Sequence, residues 1–365
     1  TLQPEAEWTA HNLNDRLDQI PVAAFPRLSG YVGRGVITTS TYEARQFGVG
    51  SAMGLMKAAK LCPDAILLPG DFDRYRMFSR QFKSVITEIA PTMQDRGIDE
   101  VYIDFTEVPG GQREGGRVLA RLIQKSILEA TGLTCSIGVA PNKLLAKMAS
   151  EFNKPNGISV VHETDLQSLV WPLPCRKING IGPKADAKLK AQGIETIGHL
   201  AARDRFELME SFGRAYGHWL HEASWGRDDR PVETETEPVG ISRETTFERD
   251  LHAVQDKNEL GLVFTRLCAQ VAEDLKRKGY VGRTVGIKLR YDNFQSVTRD
   301  ISVDEYTADA QRIRSLAGQC LKRVDLKRRI RLLGVRVGSL LRTEDWDALQ
   351  AREPEPGYGE SESLF

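Results

Sequence analysis

Asp99 and Glu100 are adjacent carboxylates that follow Gly97 and open the run Val101-Tyr102-Ile103-Asp104-Phe105-Thr106. From Val101 onward the residues alternate, with Val101, Ile103 and Phe105 on one face and Tyr102, Asp104 and Thr106 on the other. That period predicts a strand with the acidic pair at its mouth. Neighbouring side chains on a strand point to opposite faces. Asp99 and Glu100 can therefore share a ligand only where a turn breaks the pleat, and Gly97 permits one. Two hard oxygen donors of this kind suit Mg²⁺, which takes one or two carboxylates and completes its shell with water and substrate phosphates. A solvated hairpin end is the bland alternative, and these residues alone leave it open.

A second group lies nearer the start of the chain. Ser40 or Thr41 is expected to cap a short helix that Gly48 ends, with Tyr42 and Arg45 on one face. A hydroxyl, a phenol and a guanidinium at one helix entrance form a candidate triphosphate clamp, because Arg pairs bidentately with phosphate oxygens. An Arg on a helix is more often simply solvated. Further on, Ile178-Asn179-Gly180-Ile181-Gly182-Pro183-Lys184 precedes an amphipathic helix and then Gly193-Ile194-Glu195-Thr196-Ile197-Gly198-His199-Leu200. This is the helix-hairpin-helix pattern. Its glycines, Gly180 and Gly182, let backbone N–H groups approach a DNA phosphate without reading sequence, with Lys184 beside them. His218 and His221 have no evident third ligand and are read as structural. Arg290, Arg299 and Arg331 lie on or beside predicted strands, where a flat sheet would present them to a phosphate backbone.

The elements that must position these groups alternate in kind. Strands are expected at Ile20–Phe25, Val36–Thr39, Val101–Thr106, Cys135–Ala140, Ser242–Phe247, Thr284–Tyr291 and Ile330–Val337. Helices are expected at Asp71–Ile89, Gly116–Thr131, from Asn142 onward, at Asn258–Lys278 and at Ala308–Arg323. Helices between strands that need not be parallel predict an α+β chain, and 365 residues exceed one ordinary core. Lys and Arg together equal Asp and Glu at 50 each, so total charge points to no partner. The layout is uneven, however. Val239–Arg342 holds 21 basic against 13 acidic residues, a net of +8, and the tail from Thr343 holds one Arg against seven acids. A basic module before an acidic tail fits a polyanion-binding domain with a disordered extension. Five scattered cysteines without C-x-x-C spacing point to a reducing compartment and no zinc site. No apolar run reaches membrane-spanning length and no signal peptide is visible, so a soluble, cytoplasmic monomer is expected.

From about Asn14 to Leu341 the order of motifs resembles the Y-family of translesion DNA polymerases. The likeness is carried by Thr39-Ser40-Thr41-Tyr42-Glu43-Ala44-Arg45-Gln46-Phe47-Gly48-Val49, by Asp99-Glu100-Val101-Tyr102-Ile103-Asp104 and by Lys154-Pro155-Asn156-Gly157. The Gly180/Gly182 hairpin and Gly282-Arg283-Thr284-Val285 with Thr298-Arg299 complete it. The resemblance implies a multidomain right hand. Fingers with a remnant of the palm N-terminus would occupy 1–70, the palm 71–161 and a helix-hairpin-helix thumb 162–230. A linker at 231–240, an α/β little finger at 241–341 and an acidic tail at 342–365 would follow. It also implies error-prone, template-directed nucleotidyl transfer onto a primer 3′-hydroxyl in DNA damage tolerance, with two Mg²⁺ ions. Asp99 and Glu100 would bind metal, Glu100 beside the attacking hydroxyl, and Thr39, Tyr42, Arg45 and Lys154 would hold the deoxynucleoside triphosphate.

One family feature, the N-terminal strand with its metal-binding Asp, is missing from this sequence. The family's first metal-binding Asp and its aromatic gate lie on an N-terminal strand of the form V-D-x-D-x-F-[FY]. Counting back from Ile20-Pro21-Val22-Ala23 puts the Asp slot at Thr1 and the aromatic slots at Glu5 and Ala6. Gly97 also stands where the family usually has Ser. The expectation is a polymerase whose extension is weakened unless Glu5 or Glu7 substitutes. The alternative is a silent relative that binds primer-template DNA and recruits repair factors. Retention of Asp99, Glu100, Arg45 and Lys154 favours the enzyme. At the other end, Leu364 and Phe365 would anchor a flexible tail in an apolar pocket of a partner. They resemble the Gln-x-x-Leu-Phe peptide by which bacterial polymerases dock on the sliding clamp, with Ser361 in place of Gln.

Overall fold

The computed structural model describes residues 21–350. The chain forms two compact units: residues 71–236, and the stretch up to Gly70 together with everything from Glu237 onward.

The N-terminal stretch is mostly loop around a small core of Leu28, Ile37, Val49, Leu55 and Ala58. The expected strand at its start is instead a 3₁₀ turn, Val22–Ala24, closed by the Ala24 N–H on the Pro21 carbonyl at 2.8 Å. Pro21 and Pro26 bracket the segment and supply no N–H to a ladder. Val36–Thr39 likewise makes only an isolated bridge between Val36 and Gly54. Two short helices follow, α1 (Tyr42–Gln46) and α2 (Leu55–Leu61). Thr41 is the cap of α1, accepting the Ala44 N–H at 3.3 Å, whereas the Ser40 hydroxyl donates to the Val49 carbonyl.

In the unit of residues 71–236, α3 (Phe72–Ile89) starts where the Asp71 carboxylate takes the Arg74 N–H at 3.0 Å. It packs Ile86 against Leu119, Ile123 and Ile127 of α4 (Arg117–Thr131). Two strand pairs follow, and Met93, Val101, Ile103 and Ile137 from them line the same apolar cluster. β1 (Met93–Asp95) is antiparallel to β2 (Val101–Ile103), and β3 (Ile137–Val139) is parallel to β4 (Ile158–Val160). β2 and β3 are each shorter than the run predicted for them. β2 stops at Ile103 because the Asp104 carboxylate accepts the Thr106 N–H and hydroxyl at 2.9 and 2.6 Å, and that local turn replaces the ladder. Between β3 and β4 lies α5 (Lys143–Ala149), capped by Asn142. The helices α6 (Pro183–Ala191), α7 (Ile197–Ala201), α8 (Arg205–Phe212) and α9 (Arg214–Ser224) enclose a second core around Ile178, Leu189, Ile197, Leu200 and Leu220.

From Glu237 the chain builds an antiparallel sheet in the order β5-β8-β6-β7. Its strands are β5 (Gly240–Leu251), β6 (Tyr280–Tyr291), β7 (Ser296–Thr307) and β8 (Ile330–Arg342). The helices α10 (Lys257–Lys278) and α11 (Ala310–Leu321) cover one face, burying Val285, Ile287, Leu289, Val335 and Val337. β7 is a strand the sequence reading does not contain. The acidic tail also opens differently from the expected disordered extension. Thr343–Gln350 is a helix, α12, whose Trp346 ring lies 5.0 Å from that of Tyr306. Among the described residues no helix is long and apolar enough to cross a membrane.

Candidate active site and nucleic-acid interface

The acidic pair sits on the turn joining β1 to β2, and that turn is pinned. Gly97 has φ +137°, its N–H donates to Asp95 Oδ1 at 2.9 Å, and Arg96 N–H donates to the Glu100 carbonyl at 3.0 Å. Lys83 of α3 reaches across to Asp95 Oδ2 at 2.8 Å and to the Gly97 carbonyl at 2.6 Å. Burial pushes the Asp95 carboxyl up, but Lys83 and the Gly97 N–H outweigh it and hold it below the usual carboxylate range. Asp95 is thus a fixed anchor for the turn, while Asp99 and Glu100 are exposed at its tip. Glu100 is ion-paired with Lys147 of α5. Lys143, one turn earlier, is buried, donating to Gln94 Oε1 at 2.8 Å and the Pro231 carbonyl at 2.6 Å beneath the Tyr102 ring. Burial raises the Tyr102 phenol, against the pull of the nearby Lys147 and Arg96 charges. Lys154, after α5, rests on Glu151 at 2.5 Å.

The donors at this tip are hard: two carboxylates, both open to water. They fit a divalent ion that keeps part of its water shell, with Asp99 and Glu100 as the holding residues. Among the described residues there is no group of three carboxylate, imidazole or thiol ligands. Thr1, Glu5 and Ala6, where the slots of the missing strand fall, and Glu7, a candidate substitute with Glu5, lie outside the described residues.

In the other unit, Tyr42 and Arg45 do share a face of α1: the Arg45 guanidinium lies 5.0 Å over the Tyr42 ring, and its Nε donates to the Ser40 carbonyl at 3.1 Å. Thr39 is exposed just before them.

The helix-hairpin-helix glycines differ in kind. Gly180 has φ +117°, and a Cβ there would come within 2.6 Å of the Trp219 ring, so this glycine is required for packing. The Tyr216 hydroxyl holds its carbonyl at 2.9 Å. Gly182, the N-cap of α6, has open space around its missing Cβ and is exposed together with Lys184. Both glycines are exposed, with the Gly180 carbonyl engaged.

On the four-stranded sheet the register separates the three arginines. Arg290 pairs opposite Ser296 and donates to its hydroxyl at 3.0 Å on the face free of helices. Arg299 stands opposite the buried Ile287 and so points to the helix-covered side. Arg331 lies over the Phe294 ring at 4.5 Å, beside Asp250. One flat surface carrying all three, as the sequence reading expected, is therefore corrected by the strand register. Two residues were missed. Lys147 had as its only signal the i, i+4 spacing from Lys143 on α5. Arg336 is exposed in a groove of about 450 Å³ with Thr284, Asp300 and Gly338, and the alternation Gly334-Val335-Arg336-Val337-Gly338 carries its signal. Leu364 and Phe365 lie outside the described residues.

Comparison with known proteins agrees with this layout. The impB/mucB/samB family matches residues 7–151, its helix-hairpin-helix motif residues 163–194 and its C-terminal domain residues 238–351. The chain is 38% identical over 319 residues to a DNA polymerase IV of Methanoculleus marisnigri, covering 87% of this chain and 86% of that one. It is 39% identical over 311 residues to a DNA polymerase IV of Halorhodospira halophila, covering 84% and 85%. A solved Y-family DNA polymerase chimera, Dbh-Dpo4(243-245)-Dbh, superposes with a TM-score of 0.75 at 25% identity, covering 86% of this chain and 89% of that one.

Proposed function

This chain belongs to the Y-family of DNA polymerases, among the impB/mucB/samB relatives that include DNA polymerase IV, and on that footing we propose that its chemistry is centred on Asp99 and Glu100. It is a translesion DNA polymerase, a nucleotidyltransferase that extends a primer along a template. The observation that supports the assignment of the site is the pinned turn that holds two adjacent carboxylates in water, with Lys147 as the counter-charge on Glu100.

Asp99 and Glu100 would hold the divalent ion, which we take to be Mg²⁺. When bound, it would favour the ionised primer hydroxyl and offset triphosphate charge. The protein's own part is positional. The Lys83–Asp95–Gly97 contacts fix the backbone of the turn, so a cation that takes Glu100 has only the Lys147 ammonium to displace. Arg45, propped on Tyr42, offers a planar fork to the triphosphate, with the Thr39 hydroxyl as a further donor. Lys154 is a second cation of this kind, whose present partner Glu151 is a half-exposed neighbour and is readily exchanged. The exposed N–H groups at Gly182 and Lys184 take a duplex phosphate without reading its bases. Leu364 and Phe365 are proposed to anchor the chain to a sliding clamp.

Single-nucleotide insertion into a primer-template tests the site. Asp99→Ala and Glu100→Ala should each abolish Mg²⁺-dependent extension while DNA affinity stays within about twofold of the parent. Extension at the parental rate by either variant would overturn the assignment.

A further inference from the structure

We propose that Arg34 and Arg331 form a binding site for a DNA backbone phosphate, and that the Asp250 carboxylate fills this site when no DNA is bound. The inference rests on the DNA-polymerase reading above. All three residues belong to the same compact unit. Arg34 Nη1 lies 2.7 Å from Asp250 Oδ1 and donates to the Phe247 carbonyl at 2.9 Å. Arg331 Nη1 stands 4.0 Å from the same carboxylate oxygen. A third guanidinium, Arg329, donates to the Asp250 backbone carbonyl at 3.3 Å. The side chains of Arg34, Asp250 and Arg331 are 23%, 24% and 22% exposed, so the guanidiniums are partly reachable from water, whereas Asp250 Oδ1 is buried and accepts no hydrogen bond among the described residues.

Both halves of the contact are built. On the N-terminal side, the Tyr31 hydroxyl accepts the Gly35 N–H at 3.0 Å and fixes the loop that presents Arg34. A Cβ at Gly33 or Gly35 would come within 2.7 or 2.5 Å of that hydroxyl, so only glycines allow the ring beneath the loop. On the sheet side, the pairing of β5 with β8 slips between Thr246 and Leu251. The bulge releases Phe247 to Asp250 from the ladder, leaving a carbonyl and a carboxylate free to face Arg34. Arg331 is kept in place by the Phe294 ring.

The charges do not balance. One carboxylate lies beside two guanidiniums, and the adjoining run Lys327-Arg328-Arg329 adds further positive charge, offset in part by Asp292 at Arg328 and by Asp256 near Arg329. A phosphodiester carries the same single charge as a carboxylate and the same forked pair of acceptor oxygens. A backbone that displaced Asp250 would gain both arginines and could continue along the basic run. The contact also ties the loop before α1 to the sheet, so the displacement would release that tie.

The test measures binding of a labelled primer-template by the full chain, by fluorescence anisotropy across a range of salt. Asp250→Asn keeps the shape and removes the charge. It should bind about tenfold tighter at low salt and steepen the log K against log salt slope by roughly 0.9, the contribution of one further neutralised phosphate. Arg34→Gln added to Asp250→Asn should remove about half of that steepening. Asp250→Glu, which keeps the charge, should bind as the parent does. An unchanged slope for Asp250→Asn, weaker binding by it, or the same gain from Asp250→Glu would overturn the proposal. Absence of any DNA binding by the parent chain would instead count against the polymerase reading itself.

Discussion

Removing Lys147 should tighten divalent-ion binding at the acidic turn. Lys147 is the cation on Glu100, and its side chain is 24% exposed against 48% for Glu100. An incoming ion must displace that ammonium before it can use Glu100. At this exposure an ion pair is worth about 0.5–1 kcal/mol, well below the value of a buried one, because water screens both partners. Lys147→Met removes the competitor and keeps the aliphatic stem. The apparent affinity for Mn²⁺, a spectroscopic substitute for Mg²⁺, should therefore rise by roughly two- to fivefold. Electron paramagnetic resonance titration of free Mn²⁺ reads this directly, and Asp99→Asn in the same background should cancel the gain. The Tyr102 phenol gives an independent readout. Lys147 is among the charges that pull its pKa down against burial, so the tyrosinate absorbance of Tyr102 should appear at higher pH in the variant. Unchanged or weaker Mn²⁺ binding alongside the shifted Tyr102 titration would show that Glu100 is not a ligand.

Three other outcomes are expected. Asp274 is held down to about 2, first by Arg243 and, against burial, also by Arg277. A depressed carboxyl stabilises above its unfolded value, so Asp274→Asn should cost roughly 1–2 kcal/mol near neutral pH after allowance for the half-exposed arginines. That difference should shrink as pH falls from about 4 towards 2, and urea midpoints showing a pH-independent gap would refute the linkage. Gly180→Ala must place a Cβ 2.6 Å from Trp219 at φ +117°. It should lower stability by about 2 kcal/mol, seen as earlier urea unfolding with quenched or shifted tryptophan emission, whereas Gly182→Ala should do much less. Deleting Leu364 and Phe365 should weaken binding to a sliding clamp and leave primer-template affinity unchanged; equal clamp affinity in a titration would leave the tail without that role.

Helices were the most legible part of the fold. Phe72–Ile89 and Arg117–Thr131 appear almost as their apolar periods and caps predict, since a helix closes its hydrogen bonds within its own segment. Strands were over-read at β2 and β3, and β7 was missed, because a strand exists only through its partner. β7 carries a weak alternation of Val297, Ile301 and Val303 that gains meaning only beside β6. The acidic pair on its glycine turn and the Tyr42–Arg45 face were also legible, being local spacings.

What the sequence determined by itself was therefore chemistry of short range: which residues can ligate, cap or turn, and the order of motifs that marks the family. The tertiary structure alone decided which charges meet. Glu100 finds Lys147, Lys83 pins a turn more than ten residues away, and Arg34 meets Asp250 from the far end of the chain. It also decided which face a strand residue takes, setting Arg290 and Arg299 on opposite sides of one sheet. The reason is physical. Periodicity fixes a residue's position relative to its neighbours in the chain, whereas register, bulges and helix packing are set by burial among segments distant in sequence.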